Sequence, residues 1–330
     1  MLQAHASPGA DEPAGTRSVH DDPPVSWPAE LPAPGRSAEE HADWLELTAL
    51  GRRRRGASVE DLLGALRRRA GDVAGDGAAR ARRLEAAADD AFAELHDRGR
   101  ACAGAHPFRL DGQAVEATRG ANRAPYTFLL LLGAFGAAAG PPGLDGASLF
   151  EEVCAAAGAA FLGGRRAGAR SLVFGAPRRG SPAGFRAAVD HLCEAIGEGG
   201  GCRPRIRLRH QRDAKLDVVV WRPFPDRRAG KVIAFGQCAT GRLWADKLDE
   251  LQPRAFGALW LREPLSVEPL RLFFVPFRVD RGRWEEAAFR GGVLFDRCRI
   301  AAYGAELEPG VRERCHEWTR HVVRTRLRRD

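Results

Sequence analysis

The chain has 330 residues with 44% hydrophobic and 28% charged side chains, which is ordinary for a soluble globular protein and sufficient for two structural units. From Gly201 onward there are 28 Lys and Arg residues and 17 Asp and Glu residues, a net charge of +11, which favours a polyanionic partner such as nucleic acid. Seven scattered cysteines without C-x-x-C spacing argue against a disulfide framework and against a zinc ribbon. No apolar run is long enough to cross a membrane and no signal peptide is visible, so we expect a cytoplasmic protein without membrane contact.

The first part of the chain predicts a tail followed by a helical unit. Residues 1–36 are rich in Pro, Gly, Ala and Asp and have little apolar periodicity, which predicts a disordered tail. Residues 37–143 predict a helical domain with a short hairpin near Phe108, and Ser37 with Glu40 forms a capping box at its start. No motif in this domain indicates chemistry. Its expected role is to contact a protein partner or to contribute to substrate specificity.

The second unit, predicted over residues 144–330, alternates helices with strands. Short apolar runs predict strands at 171–174, 218–221, 231–235, 258–261 and 270–276. Apolar residues at helical spacing predict helices at 149–162, 185–196, 240–251, 284–289 and 311–328. This order predicts an α/β fold with a central sheet flanked by helices.

Two polar residues stand at the ends of adjacent predicted strands. Asp217 opens the first strand and Gln237 closes the second, and polar groups at the ends of buried strands need a hydrogen-bonding or chemical reason. The same stretch of the chain holds its only three lysines, Lys215, Lys231 and Lys247. Because lysine and arginine differ in reach, hydration and pKa, lysines retained in such an arginine-rich chain favour a chemical role.

This layout, a helix and a strand followed by the strands with Asp217 and Gln237, resembles the PD-(D/E)XK nucleases, the restriction-endonuclease-like superfamily. In that family an Asp begins one strand, a Glu or Gln ends the next, and an acid lies on a preceding helix. Residue by residue, the resemblance assigns Asp217 and Gln237 to the two strand positions. It assigns the helix position to Glu151 or Glu152, and Glu151 is favoured because it follows an aromatic residue. The implied fold is a helical N-terminal unit followed by a restriction-endonuclease-like core with a mixed sheet.

The resemblance covers about residues 148–275 and implies a metal-dependent DNA endonuclease that hydrolyses phosphodiester bonds, in bacterial defence against foreign DNA. Such hydrolysis needs a divalent cation, Mg²⁺ or in its place Mn²⁺, to stabilise the anionic transition state and to lower the pKa of a water molecule. The expected ligands are oxygens of Asp217, Gln237 and Glu151 together with the main-chain carbonyl of Cys238.

The family places a lysine at the position of residue 239, where this chain has alanine. Two side chains are expected to supply the charge instead: Lys247, which would position the attacking water from the following helix, or Arg242 in the first turn of that helix. Arg242 and Lys215 are also predicted contacts to nucleic acid. If neither replacement reaches the site, the fold is a catalytically inactive module that binds nucleic acid or a protein partner within a defence complex.

Each of these side chains also has a purely structural interpretation. Asp217 would pair with Arg212 or Lys215, Gln237 would be a buried amide with satisfied hydrogen bonds, and Lys247 would be a solvated charge. An arginine-rich composition raises the net charge without any nucleic-acid ligand. The chain has neither a P-loop nor a G-x-S-x-G motif, so nucleotide hydrolysis and serine hydrolysis have no support.

Overall fold

The computed structural model describes residues 33, 35–70, 77–175, 182, 184–204 and 213–327. The tail predicted for residues 1–36 lies almost entirely outside the described residues, as do Arg212 and the last residue of the helix predicted to end at 328. Within the described ranges, no helix combines the length and the apolar character that crossing a membrane requires.

The described N-terminal part combines helices with a small antiparallel sheet. Its helices are α1 Ala38–Gly51, α2 Val59–Ala70, α3 Gly77–Ala101 and α4 Pro125–Phe135. Its strands are β1 Gly56–Ser58, β2 Phe108–Asp111 and β3 Ala114–Ala117, in the order β1-β3-β2. The predicted capping box of Ser37 and Glu40 is confirmed. The hairpin expected near Phe108 is confirmed as β2 and β3, whereas β1 was not predicted because three residues carry no periodic signal.

The C-terminal part is built around a five-stranded sheet. Its helices are α5 Gly146–Phe161, α6 Phe185–Ile196, α7 Pro253–Trp260, α8 Arg281–Gly291, α9 Arg297–Ala302 and α10 Pro309–Val322. Its strands are β4 Arg170–Val173, β5 Val218–Arg222, β6 Val232–Cys238, β7 Leu270–Phe274 and β8 Val293–Phe295, in sequential order. The pairs β4–β5 and β5–β6 are antiparallel, and β6–β7 and β7–β8 are parallel. The predicted α/β class with a central mixed sheet is therefore confirmed.

The central strands β5 and β6 are buried on both faces. Val218 and Val220 pack into a core shared with α5, while Val219 and Trp221 pack into a second core with α6. Helix α5 approaches β5 closely at Gly158, where a Cβ atom would lie 3.1 Å from Val220. A run of β-branched residues suits such a strand because successive side chains point to opposite faces, and both faces are apolar.

Two predicted elements of the second unit are wrong. Residues 240–251 form turns around a short 3₁₀ helix, Trp244–Lys247, and the next α-helix begins only at Pro253. The apolar residues that suggested a helix pack into separate cores, since Leu248 joins a cluster with Phe273 whereas Leu251 joins the core beside α6. Residues 258–261 were predicted as a strand, but 258–260 end α7, because a short apolar run does not distinguish a strand from a buried helix.

A buried ion-pair network connects the two parts of the chain. Arg98 of α3 is 0% exposed and donates to Asp43 at 2.7 Å, to Glu46 at 2.9 Å and to Glu94 at 2.8 Å. Arg297 of α9 donates to both carboxylate oxygens of Asp43, at 2.7 and 2.8 Å. Burial alone would raise the pKa of Asp43, but Arg297 and Arg98 outweigh it and hold that pKa below its usual value. Asp43 therefore joins the first helix to the C-terminal part as a carboxylate.

We expect Arg98→Met to lower the free energy of unfolding by about 3–5 kcal/mol, because three acidic partners would lose the cation that they share. Arg100→Met on the same helix is a matched control, since Arg100 is exposed and pairs with Asp97 at the surface. Its effect should stay within about 0.5 kcal/mol. Urea unfolding followed by circular dichroism measures both changes, and equal losses in the two variants would contradict the prediction.

Candidate functional site

The candidate site lies where β5 begins and β6 ends. The antiparallel register pairs Val218 with Gly236, and the backbone N–H of Asp217 donates to the Gly236 carbonyl at 2.9 Å. Asp217 therefore stands beside Gln237, as the sequence predicts. Two strands that run in opposite directions bring the start of one next to the end of the other, so residues 20 positions apart share one edge of the sheet.

Helix α5 adds Glu151 to this edge. A Cβ atom on Gly175 would clash with the Glu151 carboxylate, so the absence of a side chain at Gly175 leaves the space that this carboxylate fills. The backbone N–H of Gly175 donates to the Asp217 carbonyl at 3.0 Å, which ties the same segment to the start of β5. Glu152 points elsewhere and accepts a hydrogen bond from Arg314 of α10. Of the two glutamates that the sequence left open, Glu151 is the one at the site.

The two carboxyl groups titrate abnormally. Burial raises the pKa of Asp217 to about 7, with a further contribution from Asp213, while the Cys238 N–H, Lys247 and Lys215 act in the opposite direction. Burial, together with the neighbouring Asp217, raises the pKa of Glu151 to about 9. Poorly hydrated acids that face one another favour a bound proton or a bound cation over two bare negative charges.

Asp217 is oriented by the backbone. Its Oδ2 accepts a hydrogen bond from the Cys238 N–H at 2.7 Å, which leaves the other carboxylate oxygen without this constraint. The predicted pairing of Asp217 with Lys215 is not formed, because Lys215 Nζ donates to Glu250 Oε1 at 3.3 Å. The Cys238 thiol packs towards Cys154 of α5, and burial followed by that contact raises the pKa of this thiol well above its usual value. The role of the Cys238 carbonyl as a ligand stays a prediction.

The two polar atoms of the Gln237 side-chain amide differ in their hydrogen bonding. Its Nε2 donates to Glu250 Oε2 at 2.7 Å. Its Oε1 is buried and accepts no hydrogen bond from the described part of the chain, although the residue is only 4% exposed. A buried carbonyl oxygen without a partner is costly, so this atom is the place where a water molecule or a cation would be accommodated.

The three lysines have different environments. Lys231 is buried, donates to the Ile196 carbonyl at 2.7 Å and forms an ion pair with Glu198 at 3.1 Å, which is a structural role. Lys215 is tied to Glu250. The Lys247 ammonium group forms no hydrogen bond or ion pair with any residue that the structure describes, and its charge lowers the pKa of Asp217. Lys247 is thus free to act at the site, from a 3₁₀ helix and not from the predicted α-helix.

Position 239, where the family resemblance expects a lysine, lies in an apolar environment. Ala239 is 1% exposed and packs in an apolar cluster with Leu248 and Phe273. A lysine side chain at this position would have to place its ammonium group among these apolar side chains or displace them. Arg242 lies in the exposed turn that follows and makes no hydrogen bond or ion pair within the described ranges.

The side chains at the site offer oxygen atoms of the kind that a divalent cation binds. No group of three or more His, Cys, Asp or Glu side chains that could hold a metal ion occurs among the described residues. Mg²⁺, however, binds through one or two carboxylates and retains several waters, and amide oxygens also serve as ligands to hard cations. Asp217, Glu151 and Gln237 supply oxygen donors of this kind, and Mn²⁺ accepts the same donors.

Two residues at the site were missed by the sequence predictions. Asp213 lies near enough to raise the pKa of both site carboxyls, and its Oδ1 accepts from the Lys215 N–H at 2.9 Å. Ala214 and Lys215 follow it with φ of 54° and 69°, left-handed values that cost energy outside glycine and are found at functional sites. The sequence analysis missed Glu250 because it predicted a helix over 240–251. In the structure these residues form turns, and the turns bring Glu250 into contact with Gln237.

The chain matches no protein-family model, and comparisons with curated proteins and with solved structures gave no match. The α/β class therefore rests on the structure alone. The resemblance to PD-(D/E)XK nucleases stays a prediction.

The stability of the protein should fall between about pH 4 and pH 9. Above about pH 4 the unfolded chain has lost the protons of both acids, whereas the native state holds that of Asp217 up to about pH 7 and that of Glu151 up to about pH 9. Over this range the native state binds more protons than the unfolded chain and loses stability as the pH rises. Asp217→Asn keeps an acceptor for the Cys238 N–H and removes the charge. It should therefore exceed the wild type in stability at pH 9 by an amount on the order of 1 kcal/mol.

Calorimetric melting from pH 5 to pH 9 in the presence of EDTA measures this difference. Asp89→Asn, which removes an exposed acid of α3, is the matched control and should follow the wild-type curve. A variant at Asp217 that is no more stable than the wild type at pH 9 would contradict the raised pKa.

Proposed function

We propose that the chain is a metal-dependent endonuclease that hydrolyses phosphodiester bonds in DNA. The observation that carries this proposal is the buried Gln237 Oε1, which has no partner among the described residues and belongs to the residue opposite Asp217 in the β5–β6 pair. The pKa values of Asp217 and of Glu151, whose carboxyl groups interact, are both raised. Carboxyls with raised pKa values and an orphaned oxygen together favour a cation. The resemblance to PD-(D/E)XK nucleases, whose acids occupy the same strand and helix positions, supports the restriction-endonuclease-like identity of the core and a role in bacterial defence in the cytoplasm.

Asp217, Glu151 and Gln237 would hold Mg²⁺ or Mn²⁺ through their side-chain oxygens. When bound, the ion lowers the pKa of a water molecule and stabilises charge on the phosphate. The Cys238 N–H fixes one oxygen of Asp217 and so orients the other. Both carboxyls must release their protons to act as ligands, so occupation of the site is coupled to pH. Lys247, with no partner within the described ranges, would position the attacking water and offset the developing negative charge.

DNA is the proposed substrate because the basic residues are concentrated in the part of the chain that contains the site. The net charge of +11 from Gly201 onward attracts phosphates by an electrostatic term that falls with salt. Arg242 is exposed in the turn that follows β6, and its side chain has no partner among the described residues, which suits a phosphate contact. Lys215 is a weaker candidate, since Glu250 already neutralises it.

The second candidate function is a catalytically inactive module of the same fold that binds nucleic acid, or a protein partner through its N-terminal helices. Ala239 favours it, because the usual lysine position is apolar and buried. Gln237 favours it as well, since an amide contributes no negative charge to a metal site. Cleavage of DNA distinguishes the two candidates, since only the first predicts it.

Cleavage of supercoiled plasmid DNA in Mg²⁺ or Mn²⁺ tests the proposal. Asp217→Asn, Glu151→Gln and Lys247→Met should each reduce the rate by at least about 100-fold, because each removes a ligand or the water-positioning charge. Asp246→Asn is the matched control, since Asp246 is an exposed acid in the same 3₁₀ helix as Lys247 and should leave the rate unchanged.

Equal nicking by the wild type and all three site variants would overturn the endonuclease. Salt-dependent DNA binding by a wild type that cleaves nothing would establish the inactive module. In either case Arg242→Ala should reduce the slope of log affinity against log salt by about 1, the value for one lost phosphate contact.

A further inference from the structure

The carboxylate of Glu250 binds the side chains of Gln237 and Lys215 next to the candidate site. Its Oε2 accepts from Gln237 Nε2 at 2.7 Å, and its Oε1 accepts from Lys215 Nζ at 3.3 Å. It follows β6 by 12 residues and returns to the strand through the turns around Trp244–Lys247. The Lys215 ammonium group is thus the second partner of this carboxylate, on its outer oxygen.

An ionised carboxylate can accept hydrogen bonds but cannot donate one. It therefore binds only the nitrogen end of the Gln237 amide, and a flipped amide would place its carbonyl oxygen against the negative charge of Glu250. The carbonyl oxygen is left as the end without a protein partner among the described residues, in a side chain that is 4% exposed. Glu250 thus decides which end of the amide is available.

We propose that Glu250 is a positioning residue of the metal site, which orients the Gln237 amide so that its oxygen is presented to a divalent cation of the Mg²⁺ class. This inference rests on the proposed function. It also accounts for glutamine at position 237: a glutamate there would set a second carboxylate within hydrogen-bonding distance of Glu250, with like charges and no proton between them. The hydrogen bond between an amide and a carboxylate removes this repulsion and fixes the ligand atom.

The contact can be tested without metal by exchanging the donor and the acceptor. In EDTA at pH 8, Gln237→Glu should lower the melting temperature by several degrees, because two carboxylates face one another. Combining Gln237→Glu with Glu250→Gln should recover more than half of that loss, since the hydrogen bond forms again in the opposite direction. Absence of any recovery would show that the two side chains are not coupled and would overturn the inference.

The consequence for the cation is measured by Mn²⁺ binding in isothermal titration calorimetry. Glu250→Ala should weaken Mn²⁺ binding about 10-fold, the usual cost of losing a group that orients a ligand. Glu250→Gln should lose less than Glu250→Ala, because it retains an acceptor but permits both amide orientations. Asp246→Ala removes an acid from the same turns without touching Gln237 and should change the affinity less than about 2-fold if orientation, and not net charge, is the cause.

The outcomes separate the inference from the function on which it rests. If the wild type binds Mn²⁺ and Glu250→Ala binds it equally well, the positioning role is overturned and the metal site stands. If Glu250→Ala and Asp246→Ala weaken binding equally, the effect is one of charge and the positioning role is again overturned. If the wild type binds no Mn²⁺, the proposed function fails and the inference fails with it.

Discussion

The antiparallel pairing of β5 with β6 is the contact on which the candidate site depends. It places Asp217 beside Gln237, and apolar packing on both faces of the sheet fixes the register, because a slip of one residue would exchange the two faces of each strand. Helix α5 packs against β5 at Gly158. This close contact fixes the position of Glu151, two turns earlier in the helix, relative to the end of the strand. The position of each polar group thus follows from packing of apolar residues.

Within the described ranges, the acids of the ion-pair network and the acids at the edge of the sheet are in opposite electrostatic environments. In the ion-pair network, arginines hold the pKa of Asp43 and Glu46 below its usual value, so the charges are compensated within the protein. At the edge of the sheet burial raises the pKa values of Asp217 and Glu151, and among the described residues no arginine forms an ion pair with either carboxylate. Compensated charge is typical of a structural network, whereas acids with raised pKa values are the feature on which the proposed metal site rests.

Local signals in the sequence predicted most helices and strands, but they did not predict contacts between residues far apart in the chain. The bounds of Pro125–Phe135 and Phe185–Ile196 agree with prediction, because a proline, flanking glycines and regular apolar spacing mark their ends. The placement of Asp217 beside Gln237 followed from the order of the strands, whereas Glu151 was expected only from the family resemblance. Glu250 could not be found, because the spacing of Leu248 and Leu251 resembles a helix although turns carry them into two cores. The network was invisible as well, since charged residues on helices usually face solvent.

The pair formed by Asp43 and Arg297 joins positions 254 residues apart. Contacts of such separation form late, because the intervening chain must be brought together before they contribute any stability. During synthesis, α1 and α3 emerge from the ribosome long before the guanidinium group that completes their buried charge balance. The N-terminal helices therefore reach their final state only after α9 has been made, so the order in which the chain is synthesised differs from the order in which it becomes stable.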